Sequence, residues 1–232
     1  MIIQILSNLF EEGYLKRESY TALSPFFTGA NVAFRSQALS RVGSYDSTCY
    51  SGEDQDICLR VANAGWELYF EPKAIVRHKN KMTMRAFVRR WFDYGFHHPH
   101  IFKKHGPKGL KIYHTGKRSE EGSIYKCLLG IRFPFNTLIF LTPFLIMHIL
   151  AVISILFAII GLHLPAIIGG VFTLGIAASY FKRDVDRKYI LKTSVFIFLR
   201  YAANLALLLG GFLGGARLGM LYISATFDFT NR

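Results

Sequence analysis

Acidic side chains are scarce in this 232-residue chain. Asp and Glu total 15 against 28 Lys and Arg, for a formal charge of +13. The excess excludes an acidic, self-solvating chain and turns attention to anionic partners. Cysteine is scarce too, at three (Cys49, Cys58 and Cys127). An odd number without metal-ligand spacing predicts neither a disulfide scaffold nor a zinc site. Cys58 falls among apolar helical positions and is predicted to be a small core residue. Charged residues amount to only 19% while hydrophobic ones reach 51%, which excludes disordered and collagen-like chains. No internal repeat or low-complexity run is present. The opening MIIQILSNLF is too short, and too soon followed by Glu11 and Glu12, to read as a signal peptide.

What is abundant is apolar sequence, and it is segregated. Residues 133–160 carry only His148 as an ionisable group, and 164–181 form a second apolar stretch. A bilayer core about 30 Å thick is crossed by about 20 apolar helical residues, so both are predicted to span a membrane. A third stretch, 193–216, contains Arg200, Asn204 and a run of glycines (Gly210, Gly211, Gly214, Gly215) at small-xxx-small spacings that allow close helix approach. It is read here as a span, the alternative being an interfacial helix whose Arg200 snorkels. The loop between the first two stretches holds no Lys or Arg, whereas Lys182, Arg183, Arg187, Lys188 and Lys192 follow the second. The positive-inside rule then places the N-terminal part in the cytoplasm of a multi-pass cell-membrane protein.

The expected organisation is a partial α/β domain over 1–80, a basic amphipathic interfacial segment over 81–126, and transmembrane helices over 127–232. Within the first, residues 8–20 read as a helix and Phe26–Phe34 as strand, glycine turn, strand. Ser36 is placed to cap a short helix ended by Gly43. A helix from Asp54 to Ala64 follows, with Ile57, Cys58 and Val61 on one face, acids in its first turn and Gly65 as its stop. Trp66–Phe70 and Ala74–His78 read as short strands, the first from its alternation. This order implies the α/β class, in the form of half a sheet.

Thr83 is placed to cap a helix running through Tyr94. Met84, Phe87, Trp91 and Tyr94 recur at helical spacing, with Arg85, Arg89 and Arg90 on the other faces. Such a helix suits a membrane surface. Asp93 is the lone acid in a basic run from Arg77 to Arg118, which fits contact with an anionic leaflet. Nucleic-acid binding, the other routine reading of a basic chain, is set aside because the run abuts apolar spans. His97, His98, His100, His105 and His114 match no standard metal spacing.

Several short motifs occur in a fixed order: Thr28-Gly29-Ala30-Asn31-Val32-Ala33-Phe34-Arg35, Val42-Gly43-Ser44-Tyr45-Asp46, Gly52-Glu53-Asp54-Gln55-Asp56-Ile57-Cys58-Leu59-Arg60 and Gly65-Trp66. Together they resemble the acceptor-side half of a membrane-bound, inverting family 2 glycosyltransferase of GT-A fold, over roughly residues 27–95. The resemblance implies that Asp54 is the catalytic base and that Glu53 beside it orients the acceptor or raises the Asp54 pKa. It places Gly29 and Asn31 at the sugar pocket and counts Asp56, Arg89, Arg90 and Trp91 among substrate-binding residues, although Asp56 also suits a helix cap. It makes His78 a candidate ligand of a divalent metal (Mg or Mn). Two departures qualify it. The Gln of a processive Gln-x-x-Arg-Trp motif is replaced by Phe87, which speaks against polymer synthesis. No nucleotide-binding βαβ unit with Asp-x-Asp precedes Gly29, so most of the metal site is expected from elsewhere. The implied partners are membrane lipids, a nucleotide sugar, a lipid-linked or glycan acceptor and a separate nucleotide-binding chain. The competing reading is a non-catalytic membrane subunit of a glycosyltransferase; a small transporter ranks behind both.

Overall fold

The computed structural model describes residues 19–20, 25–27, 29–69, 71, 74, 76, 83–115, 125–132, 134–182 and 190–225. β1 (Ser19–Tyr20) and β2 (Pro25–Phe26) form a small antiparallel ladder. The end of the helix expected over 8–20 is therefore strand, and the rest of that segment lies outside the described residues. Gly29–Asn31 make a 3-10 turn. Residues 32–34, expected as a strand, are irregular, since no strand among the described residues offers them a ladder. Ser36 is the first residue of α1 (Ser36–Val42) instead of its cap; Arg35 occupies the cap position.

α2 (Glu53–Asn63) begins one residue earlier than predicted. Its entry residue, Gly52, has φ 87°, the left-handed region that favours glycine, and a Cβ there would meet Ile101 Cγ1 at 3.0 Å. Ala38 of α1 packs with Ile57 and Val61 of α2, flanked by Phe34, Trp66 and Leu68. Trp66 and Leu68 are half-buried and Glu67 and Tyr69 exposed, so the predicted alternation is present without a ladder.

Thr83 does cap a helix, its Oγ1 accepting from the Ala86 N–H at 3.2 Å. That helix, α3 (Met84–His105), runs well past Tyr94 with Pro99 inside it. Its apolar face meets protein: Phe87 and Trp91 are buried against Leu199, Ala203, Ala206 and Leu207 of α6 (Ile190–Arg217). The approach is backbone to backbone, because a Cβ on Gly95, Gly210 or Gly214 would fall inside van der Waals contact of the Leu207, Phe92 or Phe96 carbonyl, respectively.

The segments expected as interfacial and as the start of the first span contain most of the sheet. β3 (Leu110–Thr115), β4 (Tyr125–Ile131), β5 (Thr137–Leu141) and β6 (Leu221–Ile223) assemble in the order β4-β3-β5-β6; β3 is antiparallel to β4 and parallel to β5, and β6 is parallel to β5. Leu138 and Phe140 point into a core with Phe102, Tyr113, Met220 and Tyr222. The apolar run expected over 133–160 thus divides at Thr142-Pro143. The Thr142 hydroxyl accepts from the Leu145 N–H at 3.2 Å and Pro143 takes the first helical turn, where its missing N–H costs nothing.

α4 (Pro143–Ile159) and α5 (His163–Lys182) form an apolar hairpin. Among the described residues, two helical windows are long and apolar enough to cross a membrane, His163–Tyr180 and Ile197–Arg217. The first is only 6% buried by protein and the second 50%, so they occupy different surroundings. At the hairpin base Phe144, Met147 and Tyr180 pack with Tyr201 and Leu208, which belong to the middle of α6. His148 Nε2 lies 2.8 Å from the Tyr201 hydroxyl. The Arg200 guanidinium sits 4.1 Å over the Tyr180 ring, and Asn204 donates to the Tyr180 hydroxyl. Arg200 is therefore buried among protein groups and does not snorkel.

Candidate active site

α2 and the turn ahead of α1 bring the sequence-predicted base into a defined setting. The Asp54 carboxylate lies in the first turn of α2, half-buried. Its Oδ2 accepts from the Gly29 N–H at 3.1 Å and its Oδ1 from the Gln55 N–H at 2.7 Å. Burial is the largest influence on it and lifts its pKa above the ordinary carboxylate range; the two N–H donors partly offset this, and the neighbouring Glu53 charge pushes further upward. A carboxylate in this setting, with one edge held by a backbone amide, can accept a proton.

The other predicted residues fall into different settings. Gly29 contributes its amide to Asp54. Asn31 spends its side-chain amide on the Ala74 carbonyl, at 2.7 Å, pinning the turn to the following segment. Glu53 is half-buried in the same helical turn as Asp54. Arg89 is exposed, 3.8 Å from Asp93, and Arg90 is half-buried. Trp91, expected at the substrate, is 7% exposed and forms edge contacts with Phe87 and Tyr94, so its face belongs to the α3–α6 core. His78 lies outside the described residues.

Asp56 calls for a correction. Expected as a substrate contact or helix cap, it is fully buried and points toward α3. Oδ1 meets Lys104 Nζ and His105 Nε2, each at 2.7 Å, and Oδ2 meets Arg60 Nε at 2.9 Å. Arg60 in turn donates to the Val42 and Ser44 carbonyls at 2.7 and 2.8 Å, and Lys104 also reaches Asp46 at 2.6 Å. Burial opposes the Asp56 charge, but these three partners outweigh it and hold its pKa below the ordinary range. The Asp56–Arg60 spacing of four was visible in the sequence. Lys104 and His105, 48 and 49 residues further on, were not.

The same cluster answers whether a divalent metal fits. Among the described residues, the group with ligand spacing is Asp46, Cys49 and Asp56. The Lys104 ammonium already lies between the two carboxylates, so a dication there would meet a cation. A divalent metal therefore does not fit among these residues. Cys58 is buried, receives the Phe27 N–H at 3.5 Å, and has its thiol pKa pushed up to about 11 by burial. It is the small core residue that the sequence implied.

A short α/β unit whose helix start presents a half-buried carboxylate is thus joined to a set of strongly apolar helices. The chain belongs to the glycosyl transferase family group 2, which it matches over residues 8–177. It is 33% identical over 91 residues to a pre-mycofactocin glycosyltransferase of Mycobacterium tuberculosis, in strain CDC 1551 / Oshkosh and equally in strain ATCC 25618 / H37Rv. That similarity covers 39% of this chain and 19% of the relative's length. No solved structure matches the chain.

Proposed function

We propose that this chain is the acceptor-side half of a membrane-bound inverting glycosyltransferase of GT-A type, with Asp54 as its general base. Sugar passes from a nucleotide sugar to a lipid-linked or other membrane-proximal acceptor. The acceptor hydroxyl oxygen attacks the anomeric carbon from the face opposite the nucleotide. As the new C–O bond forms, the bond to the nucleotide diphosphate breaks and its electron pair leaves with the diphosphate; the hydroxyl proton passes to the Asp54 carboxylate. The observation that carries this reading is the Asp54 geometry, half-buried, tuned upward and held by the Gly29 amide.

The nucleotide diphosphate and its divalent metal are assigned to a separate nucleotide-binding segment or chain. The α4–α5 hairpin, in which only 6% of the apolar α5 window is covered by protein, inserts into the cell membrane, and the basic residues after α5 keep the catalytic side cytoplasmic. The middle of α6 meets the base of that hairpin, which favours an interfacial course for α6.

The test is transfer from nucleotide sugars by membranes holding the full chain, with and without a co-expressed nucleotide-binding partner. Asp54→Asn should lower turnover by several orders of magnitude while membrane insertion is kept. Full activity in that variant refutes the base assignment and leaves the scaffold reading.

A further inference from the structure

One stripe of α3, Arg89, Phe92, Asp93, Phe96 and His97, lines an open basin of about 400 Å³ together with Tyr50 and Arg217. The residues come from three places: α3, the loop four residues ahead of Asp54, and the last turn of α6. The Arg217 guanidinium lies 5.8 Å from the Phe96 ring centroid, and the Tyr50 and His97 rings are 5.0 Å apart. Tyr50 is 80% exposed and forms an aromatic rim. The floor is fixed, because Phe92 and Phe96 are the residues whose carbonyls touch Gly210 and Gly214. Two guanidinium groups face one carboxylate. The Arg89–Asp93 pair is loose at 3.8 Å, with the Arg89 side chain 75% exposed, so Arg89 is at liberty to turn toward a ligand. Burial lowers the His97 pKa, and the two arginines lining the basin outnumber its one carboxylate.

We propose that this basin binds the phosphate group of a phosphate monoester carried on an apolar chain. It deepens the acceptor reading given above and rests on it. Planar guanidinium groups match phosphate oxygens in a bidentate fork. The Phe92 and Phe96 rings offer the start of the chain an apolar surface, and the apolar window of α6 ends beside them at Arg217. Tyr50, which lines the basin, stands four residues ahead of Asp54 in the chain.

The test titrates the full-length chain in a maltoside detergent by calorimetry with farnesyl monophosphate, farnesol, inorganic phosphate and UDP. Saturable binding of farnesyl monophosphate is expected, with farnesol weaker by about tenfold or more. Arg217→Gln and Arg89→Gln should each weaken farnesyl monophosphate by about tenfold. Arg217→Lys, which keeps charge and stem but loses the fork, covers the case in which the Gln variant fails to fold; it should weaken binding severalfold. Equal affinity for farnesol, or wild-type affinity in the folded Arg217 variants, overturns the proposal. Binding of inorganic phosphate or UDP as tightly as farnesyl monophosphate overturns the lipid source. Asp54→Asn should titrate like wild type, so lost transfer with an intact titration separates failure of one reading from failure of the other.

Discussion

His105 at the end of α3 and Asp56 in the first turns of α2 meet at 2.7 Å, Nε2 to Oδ1, across 49 residues of sequence. Asp56 stands two residues from the proposed base, and α3 is the helix packed against α6. The contact therefore joins the turn that holds the proposed base to the apolar part of the molecule, with Lys104 and Arg60 completing the coordination of a fully buried carboxylate.

Removing that carboxylate leaves three cationic or polar partners facing one another. Asp56→Ala should cost roughly 3 kcal/mol of stability, the scale of breaking a buried pair from one side. Thermal unfolding in detergent measures it. A midpoint equal to wild type would show that the cluster is not coupled to the fold.

The same carboxylate sets an acid limit. Its folded pKa is held below the ordinary value, so its contribution is complete above the ordinary carboxylate range and is lost as pH falls through the folded value. Unfolding midpoints should decline on acidification below about pH 4, and Asp56→Asn should flatten that decline.

Activity should fail at a higher pH than stability does. The Asp54 pKa is raised, so its proton-accepting form is lost on acidification before an ordinary carboxylate would be protonated. The acid limb of turnover against pH should lie above about 4, the unperturbed carboxylate value. A limb at or below that value contradicts the burial argument.

Gly214→Val inserts a branched side chain where the Phe96 carbonyl sits against α6. The expected loss is on the order of 2 kcal/mol from overpacking. Gly175→Val, where an added Cβ meets nothing within 4 Å, should be neutral and serves as the control. Similar midpoints for the two variants would contradict the close α3–α6 approach.

Thiol labelling checks the burial pattern directly. Cys127 is exposed and should react quickly with a maleimide, whereas Cys49 and Cys58 are buried with raised pKa values and should react slowly.

The local features were legible in the sequence because each depends on near neighbours. The acids opening α2, the glycines around it, the Thr83 cap and the apolar face of α3 all follow from spacing within a turn or two. The division at Thr142-Pro143 was also written locally, but an apolar run long enough to span a bilayer hides period-two alternation, so β5 read as helix. Val32–Phe34 failed as a strand for the opposite reason: its residues suit a sheet, but no described strand pairs with it.

By itself, the chain determined its family motifs, its segregated charge and grease, and the carboxylate that begins α2. Only the tertiary structure decided that Asp56 faces inward, that Trp91 is covered by α6, and that Arg217 joins Arg89 around one basin. Each of those outcomes needs partners dozens of residues away. The free energy of a buried charge or ring is set by what surrounds it in space, which spacing along a chain does not encode.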